Sequence, residues 1–177
     1  MSDKLPSREQ AIQLLADYGC AANVVKHCVA VSELAVETAE ALKKKGVAVD
    51  VKLVEIGALL HDIGRSRTHS VDHAVEGAKI AESIGLPKPV VNVIERHVGG
   101  GVTPSEAKWL GWPTDDSYVP VALEEKVVSY ADKLIDGSRR VPVELTVEQF
   151  RKKGLPEAAE RVRKLHDEIA VLLGDCP

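Results

Sequence analysis

Aromatic residues are scarce in this sequence, at 3% of its 177 residues. A folded interior must therefore be filled by Val, Ala, Leu and Ile. Long apolar runs are also lacking, because no stretch approaches the roughly 20 apolar residues that a membrane-spanning helix needs. Residues 1–8 do not have the basic region and following apolar run of a signal peptide. We expect an unprocessed protein that does not enter a membrane.

Cysteines are few and form no recognisable pattern. Cys20, Cys28 and Cys176 include no Cys-x-x-Cys pair, and their odd number leaves at least one thiol free. Neither a disulfide framework nor a zinc knuckle is indicated, and a cytoplasmic location is expected. Positive charge is not in excess either, since the net charge is -4. We therefore expect no duplex nucleic-acid partner.

Helical periodicity covers most of the chain, and no alternating strand pattern accompanies it. Residues that favour helix N-termini precede several periodic stretches: Ser7, with Gln10 three residues later, Asp50, Asp72 and Thr146. The predicted helices span 7–17, 21–45, 50–62, 72–85, 87–98, 122–135, 146–153 and 156–173, with at most one further turn at 105–110 in the segment 102–121.

The composition is that of a globular protein, with 45% hydrophobic and 28% charged residues. The length suffices for one hydrophobic core without disulfide support. We predict an all-α fold, a helical bundle of roughly seven to nine helices forming a single compact domain over 1–177. Its core spans about 21–140, and 141–177 is a C-terminal helical extension. Helix 50–62 is apolar nearly all round, which indicates a buried central helix.

Candidate metal ligands lie at the end of this central helix, where the apolar run stops at His61 and Asp62 and Gly64 follows. An imidazole and a carboxylate together suit Zn, Mn, Fe, Ni or Co. Two ligands are too few to hold a metal, so other helices must supply more. The further candidates on or beside apolar helix faces are His27, His73, His97 and Asp132. A buried, hydrogen-bonded His61–Asp62 pair without metal is the alternative.

The order His, His-Asp, His, His, Asp along an all-helical chain resembles the HD superfamily of metal-dependent phosphohydrolases. The resemblance covers about Val24 to Arg139 and includes His61-Asp62-Ile63-Gly64 and Ser129-Tyr130-Ala131-Asp132-Lys133. Within the superfamily, the surroundings of His73 and His97 look most like those in HD-type dinucleoside tetraphosphate hydrolases and cyclic-dinucleotide phosphodiesterases. Such relatives hold one or two divalent ions.

The resemblance implies two groups of ligands that share Asp62. The first metal takes the side chains of His27, His61, Asp62 and Asp132. The second takes His73 and His97, with Asp62 bridging because a carboxylate has two oxygens. The implied activity is cleavage of a phosphoester or phosphoanhydride bond, in a nucleotide or related phosphodiester, by metal-activated water that Asp62 orients. The expected partner is thus a small phosphorylated substrate.

Cationic side chains should hold the remaining phosphate oxygens. Arg65 is the first candidate, because a guanidinium can bind phosphate oxygens in a fork. Lys133 is the second, and these two are predicted to be catalytic as well as substrate-binding. Arg96 and the loop residue His69 complete the predicted substrate contacts.

Several alternatives stay open. An HD-fold oxygenase with two irons, a non-catalytic nucleotide-sensing module and a purely structural protein are the rival functions. His73 and His97 could instead cap helices or donate to backbone carbonyls. Trp109 and Trp112 could stack a nucleobase or pin their loop onto the body. A homodimer is compatible with the sequence, but nothing in it identifies an interface.

Overall fold

A computed structural model describes residues 4–113 and 117–175, so Cys176 lies outside the described residues. Within these ranges the regular elements are helices, apart from one small hairpin and an isolated bridge between Val102 and Tyr118, which confirms the all-α fold class. The α-helices are α1 (Arg8–Asp17), α2 (Ala22–Lys44), α3 (Val51–Leu60), α4 (His73–Ser83), α5 (Lys88–Arg96), α6 (Pro104–Leu110), α7 (Leu123–Lys133), α8 (Val143–Lys152) and α9 (Pro156–Leu173). Two 3-10 helices, Ile63–Ser66 and Val98–Gly100, and strands β1 (Ile135–Asp136) and β2 (Arg139–Arg140) complete the elements.

Two helix starts follow the expected capping chemistry. Ser7 and Gln10 form a capping box at α1, in which each side chain bonds the backbone N–H of the other residue. The Asp50 carboxylate accepts from the Leu53 N–H at 3.0 Å and so caps α3. These contacts satisfy N–H groups that a helix end would otherwise leave without partners.

Helix α3 is the central element of the bundle, as predicted. Its last three residues, Ala58, Leu59 and Leu60, have no exposed surface, and the helix packs against α1, α2, α5 and α7. A Cβ on Gly57 would lie 2.8 Å from a Val93 methyl group, so this glycine permits the close approach of α3 to α5. The end of α3 is therefore delivered to the middle of the protein.

The core is mainly aliphatic, as the shortage of aromatics predicted, although Trp112 and Tyr118 are also buried. One cluster of buried side chains joins α1, the first half of α2, α3, α4 and α5. A second joins the rest of α2 to α3, α7 and α9. Cys28, next to His27 in the sequence, is fully buried in the first cluster. No helix within the described ranges combines the length and apolar character needed to traverse a bilayer.

Two predicted helix caps are wrong. Thr146 lies inside α8, which begins at Val143, and its hydroxyl donates to the Lys133 carbonyl at 2.6 Å. Asp72 precedes α4 but makes no capping bond, because its carboxylate accepts from the Trp112 indole N–H at 2.7 Å. In both cases the side chain forms a hydrogen bond with a residue distant in sequence, and not with the N–H groups of the helix that it was predicted to cap.

Two further elements differ from the predictions. The helical turn expected at 105–110 is the seven-residue α6, and a Thr103–Glu106 capping box at its start is the sequence signal that would have extended it. The segment after α7 pairs β1 with β2 in a short antiparallel hairpin, matching Ile135 with Arg140. Strands of two residues are too short to leave an alternating pattern.

Candidate metal centre

Four histidine side chains enter the middle of the bundle from four different helices or helix ends. His27 lies in α2, His61 directly follows α3, His73 begins α4 and His97 directly follows α5. In each ring Nδ1 hydrogen-bonds a backbone carbonyl at 2.7–2.8 Å. The acceptors are the carbonyls of Gly137, Ala58, Ser70 and Ile94, respectively. A carbonyl oxygen only accepts, so Nδ1 donates in each case, and each ring in its neutral form presents the lone pair of Nε2 to the cluster, as in metal-binding histidines.

The Asp62 carboxylate lies between two pairs of these rings. Its Oδ1 is 3.1 Å from His73 Nε2 and 3.4 Å from His97 Nε2. Its Oδ2 is 4.0 Å from His27 Nε2 and 3.8 Å from His61 Nε2. Each oxygen of this one carboxylate therefore faces a different pair of imidazoles.

Asp132, near the end of α7, adds a second carboxylate to one of these pairs. Its Oδ1 lies 2.9 Å from His27 Nε2 and 3.4 Å from His61 Nε2. We call His27, His61, Asp132 and the Asp62 Oδ2 atom the first ligand group. His73, His97 and the Asp62 Oδ1 atom form the second ligand group. The ligand atoms of His27, His61 and Asp62 lie within 4.8 Å of one another, and so do those of Asp62, His73 and His97.

Buried polar atoms in this cluster fit a divalent cation. His61 Nε2 and Asp62 Oδ1 are buried without a hydrogen-bond partner, which is costly in the absence of compensation. His73 Nε2 and His97 Nε2 are 3.0 Å apart, so two lone pairs face each other once both Nδ1 protons are donated to carbonyls. A positive ion between them relieves this repulsion. The His/Asp cluster can thus hold a divalent metal, and its donor set suits Mn, Fe, Ni, Co or Zn.

Both carboxylates and His97 are held in the charge state that metal binding requires. Burial raises the pKa of Asp132, but Lys133 and the histidines outweigh it and hold the pKa well below its usual range. The pKa of Asp62 is likewise held low against burial, mainly by His61. Burial lowers the pKa of His97 to about 4, so this ring is neutral at pH 7. His61 differs from these three groups: burial lowers its pKa, but Asp62 raises it well above the usual value, so a metal must displace its proton.

Two predicted cationic residues contact the carboxylates of the cluster. Arg65 Nε donates to Asp62 Oδ2 at 2.7 Å, and its Nη1 donates to the His69 carbonyl at 3.3 Å. The Lys133 ammonium pairs with Asp132 Oδ2. Positive charge is therefore present at the edge of both ligand carboxylates. The side chain of Arg65 is 30% exposed and that of Lys133 is 13% exposed.

The other two predicted substrate contacts are placed differently. Arg96 directs its guanidinium to Glu125 at 3.1 Å and to the Ser117 carbonyl at 2.8 Å. His69 is exposed in the loop before α4, and its carbonyl holds Arg65. The structure thus gathers the six predicted metal ligands with Arg65 and Lys133, and gives Arg96 a different partner.

The backbone around the cluster contributes contacts that sequence reasoning missed. The Gly137 carbonyl, in the turn of the β1–β2 hairpin, orients His27, and no sequence signal marked it. Gly64 allows the 3-10 helix after Asp62 to touch α4, since a Cβ there would lie 1.9 Å from the His73 carbonyl oxygen. The His-Asp-x-Gly pattern had marked this glycine, but only as the end of a helix.

The two tryptophans have separate environments. Trp112 is 6% exposed and bonded to Asp72, so it fastens its loop to α4. Trp109 is 85% exposed. The ring of His166, in α9, stacks on Tyr130 at a ring separation of 5.5 Å.

Comparison with known proteins finds related chains across nearly the whole length. An uncharacterised protein of Methanocaldococcus jannaschii is 48% identical over 168 residues, which cover 93% of this chain and 98% of that protein. A tRNA (cytidine(56)-2'-O)-methyltransferase of Thermoplasma volcanium is 42% identical over 170 residues. That match covers 96% of this chain and 48% of the methyltransferase, so this chain spans about half the length of that relative.

A solved structure has the same fold at low identity. The HD domain of the L. monocytogenes phosphodiesterase PgpH, in complex with cyclic-di-AMP, superposes with a TM-score of 0.55 at 17% identity. The match covers 93% of this chain and 96% of that one. The HD domain family itself matches residues 24–136, which contain all six predicted ligands. The chain therefore belongs to the HD domain family, as its pattern of histidines and aspartates predicted.

Proposed function

We propose that this protein is a metal-dependent phosphohydrolase that cleaves a phosphoester or phosphoanhydride bond of a nucleotide or related phosphodiester. The observation that carries the proposal is the convergence of four Nε2 atoms and two carboxylates in one buried cluster. Each of the four imidazoles is held in the ligand tautomer by a backbone carbonyl. Such an arrangement has little structural purpose without a cation, because it buries lone pairs against one another.

The chemistry asked of the site explains why both carboxylates are needed. A divalent cation supplies positive charge for a phosphoryl oxygen and acidifies a bound water. Asp62 presents one oxygen to each ligand group, so it can orient the attacking water between them. Asp132 offers Oδ1 to the first ligand group while Lys133 engages its other oxygen. The carboxylate geometry is thereby held without using the oxygen that faces the imidazoles.

Arg65 and Lys133 are the proposed phosphate contacts. Both lie beside a ligand carboxylate and both are partly exposed, so an anionic substrate that reaches the cluster meets them first. Their charge favours binding of phosphate and stabilises negative charge that develops as the bond breaks. His69 stays a predicted contact through its position next to Arg65. Arg96 is left out of the proposed substrate contacts because Glu125 and Ser117 engage its guanidinium.

The relatives favour nucleotide substrates. One solved neighbour is named a phosphodiesterase and was solved with cyclic-di-AMP, and one close relative is named for an activity on tRNA. We therefore propose a small phosphorylated substrate drawn from mononucleotides, dinucleoside polyphosphates, cyclic dinucleotides or short RNA. A cytoplasmic location and a homodimer stay predictions.

The test is release of phosphate or nucleotide from a panel of these substrates. The protein is first stripped of metal and then given Mn, Fe, Ni, Co or Zn in separate reactions. We expect cleavage that requires metal, falls to background in Asp62→Ala, and persists in His166→Ala, which removes a histidine that stacks on Tyr130 outside the cluster.

Other outcomes distinguish the rival functions. A protein that retains metal and binds a nucleotide but cleaves none of the panel is a sensor, and the phosphohydrolase proposal fails. Turnover that consumes oxygen and needs iron identifies a di-iron oxygenase instead. Equal activity in Asp62→Ala and the unaltered protein contradicts the assignment of the site.

A further inference from the structure

A buried ion pair lies next to the second ligand group. Arg96 is the last residue of α5 and immediately precedes His97, and its Nη1 donates to both carboxylate oxygens of Glu125 at 3.1 Å. The side chains of Arg96 and Glu125 are only 16% and 5% exposed. Solvent ions screen a pair this well buried very little. The last turn of α5 is thus tied to the first turn of α7.

The same two side chains also hold the chain that connects these helices. Arg96 Nε donates to the Ser117 carbonyl at 2.8 Å, and Glu125 Oε2 accepts from the Val121 N–H at 2.8 Å. A third bond between the helices comes from Ser129, whose hydroxyl donates to the His97 carbonyl at 3.1 Å. One ion pair therefore organises α5, the segment 117–121 and α7 together.

These helices carry ligands of different groups. His97 follows α5 and belongs to the second ligand group, whereas Asp132 in α7 belongs to the first. Asp132 is also contacted by His27, His61 and Lys133, so its position does not depend on Glu125 alone. The His97 ring is oriented by Ile94, which is a residue of its own helix. Displacement of α5 from α7 should therefore move His97 more than it moves Asp132.

We propose that Arg96 and Glu125 are positioning residues, whose ion pair holds His97 at the spacing from Asp62 that a second divalent ion requires. The inference rests on the proposed function only in that it takes the two ligand groups to be metal sites. Neither Arg96 nor Glu125 is proposed to contact the substrate. Removal of one partner leaves the other buried and unpaired, which is strongly unfavourable. The second ion should then bind more weakly while the first is retained.

The test is calorimetric titration of the metal-stripped protein with Mn²⁺, with bound metal counted by mass spectrometry. We expect two ions for the unaltered protein. In Glu125→Gln the second binding step should weaken by about tenfold or more, as is typical when a group that orients a ligand is removed. The first step should stay within about twofold. In Arg96→Lys the second binding step should weaken less than in Glu125→Gln. An ammonium keeps the positive charge beside Glu125 but cannot also reach the Ser117 carbonyl.

A second arginine–glutamate pair, in which the glutamate side chain is more exposed, provides the control. Arg161 contacts Glu106 at 2.9 Å and the Gly101 carbonyl at 3.0 Å, which repeats the chemistry of the Arg96 contacts. It joins α6 to α9, and neither helix carries a ligand of the two groups. Glu106→Gln should leave both binding steps unchanged.

Several results would overturn the inference. These are equal weakening of both steps in Glu125→Gln, no weakening of either, the same loss in Glu106→Gln, or an unaltered protein that binds a single ion. If circular dichroism shows that Glu125→Gln does not fold, Arg96→Lys decides alone, and an unchanged second step in that variant refutes the proposal. A protein that binds two ions but hydrolyses no substrate refutes the proposed function and leaves this inference standing.

Discussion

Gly64→Ala tests whether the 3-10 helix after Asp62 must touch α4. A Cβ at this position would lie 1.9 Å from the His73 carbonyl oxygen and 2.6 Å from the Gly77 nitrogen. Ordinary contacts of a Cβ begin at 3.4 Å, so the two elements must separate by about 1.5 Å. Both neighbouring atoms belong to the backbone and cannot rotate away, so the separation has to move α4 itself.

The expected loss of stability is large for a single methyl group. Overpacking typically costs about 1–3 kcal/mol and occasionally more, and a clash with backbone belongs at the upper end. We expect a loss of about 3 kcal/mol or more in the free energy of unfolding. For a chain of this length, that loss corresponds to a fall in Tm of about 6–12 °C. The same movement carries His73 away from Asp62, so binding of a second Mn²⁺ should weaken as well.

The assay is urea denaturation followed by circular dichroism, with Gly85→Ala as the control. Gly85 has φ +71°, and no atom lies within 4 Å of the position that a Cβ would take there. Alanine at this site therefore has no steric clash, and its only cost is that of the left-handed backbone conformation, about 1–2 kcal/mol. That control should leave metal binding unchanged. A Gly64→Ala protein no less stable than Gly85→Ala would refute the steric reasoning.

Three other measurements follow from the structure. Mn²⁺ at about 100 times its Kd should stabilise the fold by about 2.7 kcal/mol, raising Tm by about 5–11 °C; a chelator or Asp62→Ala should remove this shift. Trp112→Phe loses the hydrogen bond to Asp72 and should lower the free energy of unfolding, measured in urea, by about 1 kcal/mol. Replacement of the exposed Trp109 by Ala should change it by no more than about 0.5 kcal/mol, and equal losses in the two variants would contradict the role given to the Asp72 bond. Burial raises the pKa of Cys20 to about 11, so the rate of its alkylation, followed by mass spectrometry, should still rise with pH beyond pH 10. A rate that reaches a plateau near pH 9 would contradict this raised pKa.

The sequence alone predicted the helices and the ligand types. Ser7 and Asp50 cap helices as expected, because capping bonds join residues only two or three positions apart. The apolar surface of α3 identified the central helix, and its terminal His61 and Asp62 marked the site. Such features depend on neighbours within a few positions, so they can be read from the chain directly.

The tertiary structure decided which partner each polar side chain takes. Asp72 bonds Trp112 and Arg96 pairs with Glu125, 40 and 29 residues away. The Gly137 carbonyl that orients His27 is 110 residues distant along the chain. Several partners of suitable chemistry compete for each such group, and only the packing of the helices brings one of them within bonding distance. The sequence thus supplied the candidate ligands, and the family resemblance supplied their division into two groups around Asp62. The carbonyls that orient the imidazoles and the partner of Arg96 were decided by the fold.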